Sequence, residues 1–321
     1  MSPVSLLPER RTTGWPPVTE RPLQPSGNEH LAAMKKAFPR VFDTPVLREM
    51  SGVEIKIELT DDAVPVAITA ARHIPFCRRK EVKKQIDDFQ DKGIIEPVNH
   101  PTECCHPLVP APKRSTDGSV TGGRLTVDFT KLNKYVKRPT HPVRGTHDAV
   151  ASIKCGSRFF TKIDSKSGCH QVAIRTEDQD PTTFVTPLGR YGYRRTVMGL
   201  ISSGDVYNQR GDKVLGDIPR TCKVVDDILV WDNDYNEHFK HVWTILERCN
   251  DHGITLNGDK LVFGTDLVEF CGYQVSADGS GHEEVDGDRR VPAAWMRHGP
   301  QIVPGSPTSA RHVLSRDPCD C

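Results

Sequence analysis

Apolar residues in the middle of the chain recur at helical spacing in three segments. In the first segment, Val82, Ile86 and Phe89 fall on one helical face, and Gly93 follows as a residue that favours the end of a helix. Polar residues occupy most positions between them, so this segment has one face that can pack on a core. The predicted helices cover residues 79–92, 203–215 and 236–252.

Short apolar runs bounded by turn-forming residues predict strands around these helices. Pro187-Leu188-Gly189-Arg190 separates two such runs and indicates a hairpin. Residues 169–175 fit either a strand or the start of a helix. Hairpins that alternate with helices predict an α+β fold rather than a doubly wound parallel sheet. The predicted strands cover residues 53–59, 105–113, 125–129, 157–164, 182–186, 191–197, 223–225, 228–231, 260–263 and 268–275.

The two ends of the chain lack this patterning. Residues 1–30 are rich in Pro, Arg, Ser and Thr, and residues 280–321 are rich in Gly, Pro, Arg and Ser. Segments of this kind cannot bury enough apolar surface to offset the entropy of ordering. We therefore predict a disordered leader in the first segment and a disordered or non-homologous tail in the second.

Composition and charge narrow the class of protein. The chain has 321 residues and a formal net charge of +1, so any nucleic-acid surface must be a local patch. Its ten cysteines include no CxxC pair and no zinc-finger spacing. No signal peptide is evident, and no run approaches the roughly 20 apolar residues of a membrane span. These features predict an intracellular protein with reduced thiols and no membrane partner.

A pair of carboxylates interrupts the apolar runs near residue 226. Asp226 and Asp227 lie between two predicted strands, where adjacent carboxylates repel each other unless a cation neutralises them. Phosphoryl transfer gives a reason for such a pair, because two Mg²⁺ ions about 4 Å apart can activate a hydroxyl and stabilise a leaving oxygen. Asp164, at the end of another predicted strand, would complete the ligand set. Taken alone, the pair also fits a polar turn.

Several segments resemble, in order, the reverse transcriptases of LTR retrotransposons of the Ty3/gypsy group. Residues 160–168 (FTKIDSKSG) are similar to the first catalytic motif of that family, and residues 223–229 (KVVDDIL) are similar to the second. The matches run in family order from about residue 40 to residue 279. Further matches are residues 93–98 (GIIEPV), 124–129 (RLTVDF) with Leu132-Asn133, 198–200 (MGL) and 270–273 (FCGY).

The resemblance implies the fingers and palm of a right-hand polymerase over residues 73–279, preceded by an N-terminal extension over residues 31–72. The palm of this family is a ferredoxin-like antiparallel sheet backed by helices, on which the catalytic acids meet. Family members continue into a thumb, a connection, RNase H and integrase, whereas the resemblance here ends near Gly279. A truncated copy without a thumb is therefore expected.

The resemblance also implies RNA-directed DNA polymerase activity, with Asp164, Asp226 and Asp227 as ligands of two Mg²⁺ ions, or of Mn²⁺. The primer 3′-hydroxyl would attack the α-phosphate of a dNTP, and pyrophosphate would leave. Lys260 matches a family lysine proposed to protonate the pyrophosphate, and a surface lysine is the alternative. The implied partners are dNTPs, an RNA or DNA template with its primer, and other Pol domains or chains. The implied location is the cytoplasm or a retroelement particle.

Further site residues follow from the same resemblance. Lys113 and Arg124 match positions that hold the dNTP triphosphate, and solvated hairpin charges are the alternative. Gln171 matches a position near the nucleotide, where a structural hydrogen bond explains it equally well. The implied primer grip consists of Phe270, Cys271, Gly272 and Tyr273.

Cys169 departs from the family, which usually has Tyr or Phe five residues after the first catalytic Asp. That ring excludes a 2′-hydroxyl by steric contact, so the smaller thiol predicts weaker discrimination between dNTPs and rNTPs. Decay of this copy is the alternative explanation. Two other functions stay open, namely a catalytically inactive or incomplete remnant and an interaction fragment of a larger Pol assembly. An aspartic protease is rejected, because no Asp-Thr/Ser-Gly motif has a protease-like context.

Overall fold

A computed structural model gives the fold of most of the chain. It describes residues 27–42, 47–114, 120–154, 156–277 and 279–282. Most of the predicted leader and tail therefore lies outside the described residues. The same holds for the side chains of Lys113 and Arg124, whose backbone alone is described.

Six α-helices occur in the described part of the chain, and three of them occupy the segments with helical spacing. Helices α5 and α6 begin within two residues of the predicted positions, and α3 begins three residues earlier. Helix α1 was not predicted and begins inside the expected leader. No helix among the described residues is long and apolar enough to cross a bilayer. The helices are α1 (Gly27–Ala37), α2 (Pro39–Phe42), α3 (Phe76–Asp91), α4 (Thr146–Ala151), α5 (Ile201–Leu215) and α6 (Tyr235–Asp251).

The strands form three sheets, with orders β1-β6-β5-β2-β3, β7-β8-β4-β9 and β10-β11-β12. Every pairing in them is antiparallel except that of β2 with β5. The strands are β1 (Ile95–Pro97), β2 (His106–Arg114), β3 (Val120–Val127), β4 (Phe159–Asp164), β5 (Phe184–Thr186), β6 (Gly189–Tyr193), β7 (Thr221–Val224), β8 (Asp227–Asp232), β9 (Val262–Thr265), β10 (Leu267–Phe270), β11 (Tyr273–Ser276) and β12 (Gly279–His282).

The four-stranded sheet has the ferredoxin-like order. Its elements follow the chain as β4, α5, β7, β8, α6 and β9, and its strand order places β4 beside β8 in the middle. Helices α5 and α6 contact the sheet on one side, while α4 contacts β7 and β10 contacts β4. The predicted α+β fold, with an antiparallel sheet backed by helices, is confirmed.

The packing of strand β8 explains why four consecutive residues of its sequence are apolar. Ile228 and Val230 belong to the core cluster that includes residues of α5 and α6. Leu229 and Trp231 belong to the second cluster, which contains Phe270 and other residues of β10 and β11. Successive side chains of a strand point to opposite faces. A run of four apolar residues therefore indicates a strand that is covered on both sides.

Four predicted segments differ from the structure, and the first of them is the strand predicted over residues 191–197, which ends at Tyr193 in β6. Residues 53–59 form isolated bridges at Ile55 and Leu59 rather than a regular strand. Residues 268–275 divide into β10 and β11, because Cys271 and Gly272 turn the chain through positive φ angles of 51° and 83°. The ambiguous residues 169–175 contain the end of a 3₁₀ turn, followed by an extended segment with isolated bridges.

Candidate active site

The three predicted catalytic acids lie together at one edge of the four-stranded sheet. Asp164 is the last residue of β4 and Asp227 is the first residue of β8, and the antiparallel register pairs these two residues directly. Asp226 lies in the two-residue turn between β7 and β8, because Val224 pairs with Asp227. The backbone N–H of Ser165 donates to the Asp226 carbonyl at 2.9 Å and ties this turn to the end of β4.

The turn that presents Asp226 has a strained backbone. Val225 has a φ of +52°, a region in which β-branched residues are rare. A two-residue hairpin turn normally places Gly, Asn or Asp at such a position. Strain of this kind costs about 1–3 kcal/mol and persists only where surrounding contacts fix the conformation.

The Asp226 carboxyl lies in an environment that disfavours its charge. Burial raises its pKa, and the neighbouring carboxylates of Asp164 and Asp227 raise it further, while the ammonium of Lys223 opposes this shift. Its Oδ1 atom is buried and has no hydrogen-bond partner in the described part of the chain. A buried carboxylate oxygen without a partner is costly, and a bound cation would relieve that cost.

Lysine side chains form ion pairs with the other two acids, Asp164 and Asp227. Lys260 Nζ lies 3.1 Å from Asp164 Oδ2, and Lys162 Nζ lies 3.9 Å from Asp227 Oδ1. Among the described residues, no three His, Cys, Asp or Glu side chains already converge as a metal site does. The donor set suits Mg²⁺, since it consists of carboxylates with one orphaned oxygen. The two lysines would have to release their acids when a metal ion binds.

The turn between β10 and β11 contacts the same edge. Cys271 Sγ lies 3.8 Å from Asp227 Oδ2, and both burial and Asp227 raise the pKa of this thiol to about 11. Phe270 is fully buried in the second core cluster and anchors the turn. The predicted primer-grip segment thus begins in the core and brings its tip to the candidate catalytic acids.

Known proteins are similar to this chain in sequence and in fold. A family model described as reverse transcriptase (RNA-dependent DNA polymerase) matches residues 112–275, about half of the chain. The chain belongs to the reverse transcriptase family. Its relatives include the retrovirus-related Pol polyprotein from transposon opus of Drosophila melanogaster, which is 30% identical over 258 residues, 79% of this chain and 25% of that protein. The corresponding polyprotein from transposon gypsy of the same organism is 30% identical over 203 residues, 62% of this chain and 19% of that protein.

A solved structure supports the same fold. The foamy viral protease-reverse transcriptase in complex with RNA/DNA hybrid superposes with a TM-score of 0.72 at 18% identity, over 82% of this chain and 34% of that one. The predicted resemblance to retrotransposon reverse transcriptases is confirmed, and the gypsy relative is consistent with the Ty3/gypsy group. The chain spans about a quarter of the length of the opus polyprotein.

Gln171 lies inside the protein rather than at an open site. Its side chain is fully buried, and its Nε2 donates to the carbonyls of Lys166 and Thr255 at 2.8 Å each. Its Oε1 accepts from the Thr255 backbone N–H, also at 2.8 Å. The amide therefore joins the segment after β4 to the segment before β9. The structural hydrogen bonds that were the alternative explanation are present, and a role near the nucleotide stays a prediction.

Cys169 lies in a 3₁₀ turn (Gly168–Gln171) that directly follows the first catalytic motif. Burial raises the pKa of its thiol to about 11, and the neighbouring Asp226 contributes to that shift. Its carbonyl accepts a hydrogen bond from the Thr196 hydroxyl. The structure therefore places a protonated thiol beside Asp226, at the position where the family usually has an aromatic ring.

Lys113 and Arg124 lie on the paired strands β2 and β3. Lys113 pairs with Gly122, and Arg124 pairs with Ala111. The backbone thus places both residues on one hairpin of the five-stranded sheet, as the sequence predicted. Contact of either side chain with a triphosphate stays a prediction.

Three residues around Asp226 were missed by the sequence interpretation. A Cβ atom on Gly168 would lie 2.5 Å from Tyr207 Cζ and 2.8 Å from the Tyr207 hydroxyl, and it would overlap Asp226 Oδ1. Gly168 was quoted only as the end of a motif. Lys223 was quoted only as the first residue of a motif, and Tyr207 on α5 was not singled out, because the importance of both residues depends on packing between a helix and a strand.

Proposed function

We propose that this chain is the polymerase part of a retrotransposon Pol protein and acts as an RNA-directed DNA polymerase. The observation that supports the proposal most directly is the register of β4 with β8. It places Asp164 opposite Asp227 and brings Asp226 to the same edge through a strained turn. Family membership supplies the reaction class, and this edge supplies the acids that the reaction requires.

The proposed reaction is nucleotidyl transfer to a primer. The 3′-oxygen of the primer bonds to the α-phosphorus of a dNTP, the bond from that phosphorus to the bridging oxygen breaks, and pyrophosphate leaves. Asp164, Asp226 and Asp227 would hold two Mg²⁺ ions, or Mn²⁺, which supply Lewis-acid stabilisation of the attacking and leaving oxygens. Lys260, 3.1 Å from Asp164, would donate a proton to the leaving pyrophosphate.

The proposed partners are a primed template and dNTPs. The foamy viral protein of similar fold was solved with an RNA/DNA hybrid. In this chain, the turn at Cys271 and Gly272 would position the primer end, since Cys271 lies beside Asp227. Lys113 and Arg124 would neutralise the triphosphate from the hairpin of β2 and β3.

The test is primer extension on a primed RNA template with all four dNTPs. Extension that requires Mg²⁺ or Mn²⁺, and stops when a chelator is added, would support the proposal. Circular dichroism and a cooperative thermal transition must show that the same preparation is folded. Folded protein that extends no primer on either an RNA or a DNA template would contradict the proposal. That outcome would favour an inactive remnant or an interaction fragment.

Cys169→Tyr is expected to raise the preference for dNTPs over rNTPs by about ten- to a hundredfold. The ring would fill the space where a 2′-hydroxyl would otherwise be accepted. The measurement is the ratio of kcat/KM for a dNTP to that for the matching rNTP. Cys169→Ala is the control, because it removes the thiol without adding a ring and should leave the ratio low. Equal ratios for wild type and the Tyr variant would rule out this role of residue 169.

Gly168→Ala is expected to reduce primer extension by about a hundredfold, because small displacements of a reacting group have effects of that size. The added methyl group would overlap Asp226 Oδ1 and the Tyr207 ring, so one of them must move. Single-turnover extension rates measure the effect. Gly204→Ala on α5 is the matched control, since a Cβ there meets nothing within 4 Å. Equal rates for the two variants would contradict the expected displacement.

A further inference from the structure

Lys223 is a buried cation on the helix side of the four-stranded sheet. It lies on β7, three residues before Asp226, and only 7% of its side chain is exposed. Burial lowers the pKa of its ammonium, and Asp212 and Asp226 oppose this shift. A buried lysine of this kind requires partners, because an unpaired ammonium in the protein interior is strongly destabilising.

Helix α5 provides a fitted groove for Lys223. The Nζ atom donates to Asn208 Oδ1 at 2.8 Å and lies 3.5 Å from Asp212 Oδ1. It also lies 5.2 Å from the centre of the Tyr207 ring, within cation–π distance. Gly211 makes room for the aliphatic chain, because a Cβ on residue 211 would lie 3.1 Å from Nζ and even closer to Cε. The ammonium is therefore held in one place.

The Tyr207 ring connects this groove to Asp226. A Cβ on Gly168 would touch both the Tyr207 ring and Asp226 Oδ1, so these two groups are neighbours. Lys223 thus lies on one side of the ring and the orphaned Asp226 oxygen lies close to the hydroxyl end. The Lys223 ammonium and the Asp226 carboxyl therefore share the Tyr207 side chain as a neighbour.

Lys223 differs from the two other lysines of the site in one respect. Lys260 is 63% exposed and Lys162 is 25% exposed, so each can turn towards solvent when its acid binds another cation. Lys223 has no such path, because Asn208, Asp212 and Tyr207 surround its head group. Its positive charge is therefore held in this groove, next to the Tyr207 side chain that neighbours Asp226.

We propose that Lys223 is a positioning residue whose fixed charge stabilises the metal-free Asp226 carboxylate and weakens divalent-cation binding there. The Lys223 ammonium attracts the Asp226 carboxylate when no metal ion is bound. It repels a divalent cation that binds to the same carboxylate. Lys223 would thus set the Mg²⁺ or Mn²⁺ concentration at which the site fills. This inference rests on the proposed role of Asp226 as a metal ligand.

The test measures Mn²⁺ binding to the full chain without nucleic acid, from the electron paramagnetic resonance signal of free Mn²⁺. The pH is kept well above the usual carboxyl range. Lys223→Met removes the charge and retains an unbranched chain that fits beside Gly211. It is expected to tighten Mn²⁺ binding by on the order of tenfold, the size that a unit charge several ångströms away produces in a partly buried site. Lys213→Met is the matched control, because Lys213 is an exposed lysine of α5, and its affinity should equal that of wild type.

Two further variants test the same effect on Mn²⁺ affinity. Lys223→Gln preserves a hydrogen-bond donor towards Asn208 and should tighten binding even if the Met variant folds poorly. Asp212→Asn leaves the Lys223 ammonium less compensated and should shift the affinity in the opposite direction. Thermal melting of each variant separates folding from binding, since a purely structural lysine would change the melting temperature and leave the Mn²⁺ affinity of the folded protein unchanged.

The outcomes distinguish this inference from the proposed function. Wild-type binding that Asp226→Asn abolishes, together with unchanged or weaker affinity in both neutral Lys223 variants, would overturn the role of Lys223 alone. Wild-type binding that is absent, or that Asp226→Asn does not alter, would overturn the metal-ligand role of Asp226 and this inference with it.

Discussion

Asp226→Asn is expected to lower the rate of primer extension by at least about a thousandfold, because each 1.36 kcal/mol of lost transition-state stabilisation costs about tenfold and a metal ligand supplies several kcal/mol. The amide has nearly the same shape as the carboxylate. The substitution removes the anionic charge of one proposed metal ligand without changing its size. The measurement is single-turnover extension on a primed RNA template with saturating Mg²⁺ and dNTPs.

The same substitution is expected to leave the fold intact or to stabilise it. The pKa of Asp226 is raised in the folded state, chiefly by burial and by Asp164. The folded state therefore binds this proton more readily than the unfolded state does. Ionisation of Asp226 therefore lowers the free energy of unfolding as the pH rises through the pKa that this carboxyl has in the folded state. An asparagine cannot ionise, so at neutral pH the variant does not lose this stability. A melting temperature equal to or above that of wild type would show that lost activity does not reflect unfolding.

Asp61→Asn is the matched control for this prediction. Asp61 is an exposed acid in the segment before α3. Its substitution also removes one negative charge, but at a position more than 100 residues before Asp164 in the chain. Its extension rate should equal that of wild type. If Asp226→Asn extended primers as fast as Asp61→Asn, the two-metal role of Asp226 would be refuted even though the family assignment would stand.

The acid edge could be predicted because its signals are local. Asp226 and Asp227 interrupt two apolar runs, and the four consecutive apolar residues after them indicate a strand covered on both faces. Asp164 ends a β-rich run of its own. Their meeting across β4 and β8 depends on register, which the resemblance supplied and the apolar pattern alone could not.

The groups that surround the acids could not be predicted, because their partners lie on other elements. Gln171 could be assigned to the nucleotide only by position in a motif. Its burial depends on Thr255, 84 residues later, whose backbone binds both ends of the amide. Lys223 and Gly211 lie on different elements and become a lysine and its groove only when α5 packs on β7.

Helix α1 was missed by the sequence prediction for a different reason. Its first four residues belong to the predicted leader, and the rest fall in the predicted N-terminal extension, for which the sequence predicted no helix. In the structure, His30 packs against the rings of Tyr235 and Phe239 on α6, and α1 contacts β9. A helix that owes its stability to elements some 200 residues away carries little of that information in its own sequence.

The end of β8 opposite the acid edge carries the largest expected effect on stability. Asp232 is 1% exposed and accepts hydrogen bonds from His238 Nδ1 at 3.0 Å and His241 Nδ1 at 2.9 Å, and it pairs with Arg220 Nε at 2.6 Å. The other ring nitrogen of His238 is hydrogen-bonded to the Thr161 hydroxyl at 2.6 Å. This network fastens β8 to α6 and, through Thr161, to β4.

Asp232→Ala is expected to lower the free energy of unfolding by about 3–5 kcal/mol, the usual cost of removing one partner from a buried charged network. Urea unfolding followed by circular dichroism measures it, with the m-value showing whether the transition stays two-state. Asp234→Ala is the matched control, because Asp234 caps α6 through the N–H groups of Asn236 and Glu237 and its loss should cost only about 1 kcal/mol. Equal losses would show that the network adds nothing beyond an ordinary helix cap. A much larger loss at Asp232 would mean that the pairing of β4 with β8 depends on this network. The same two strands pair Asp164 with Asp227 at their other end.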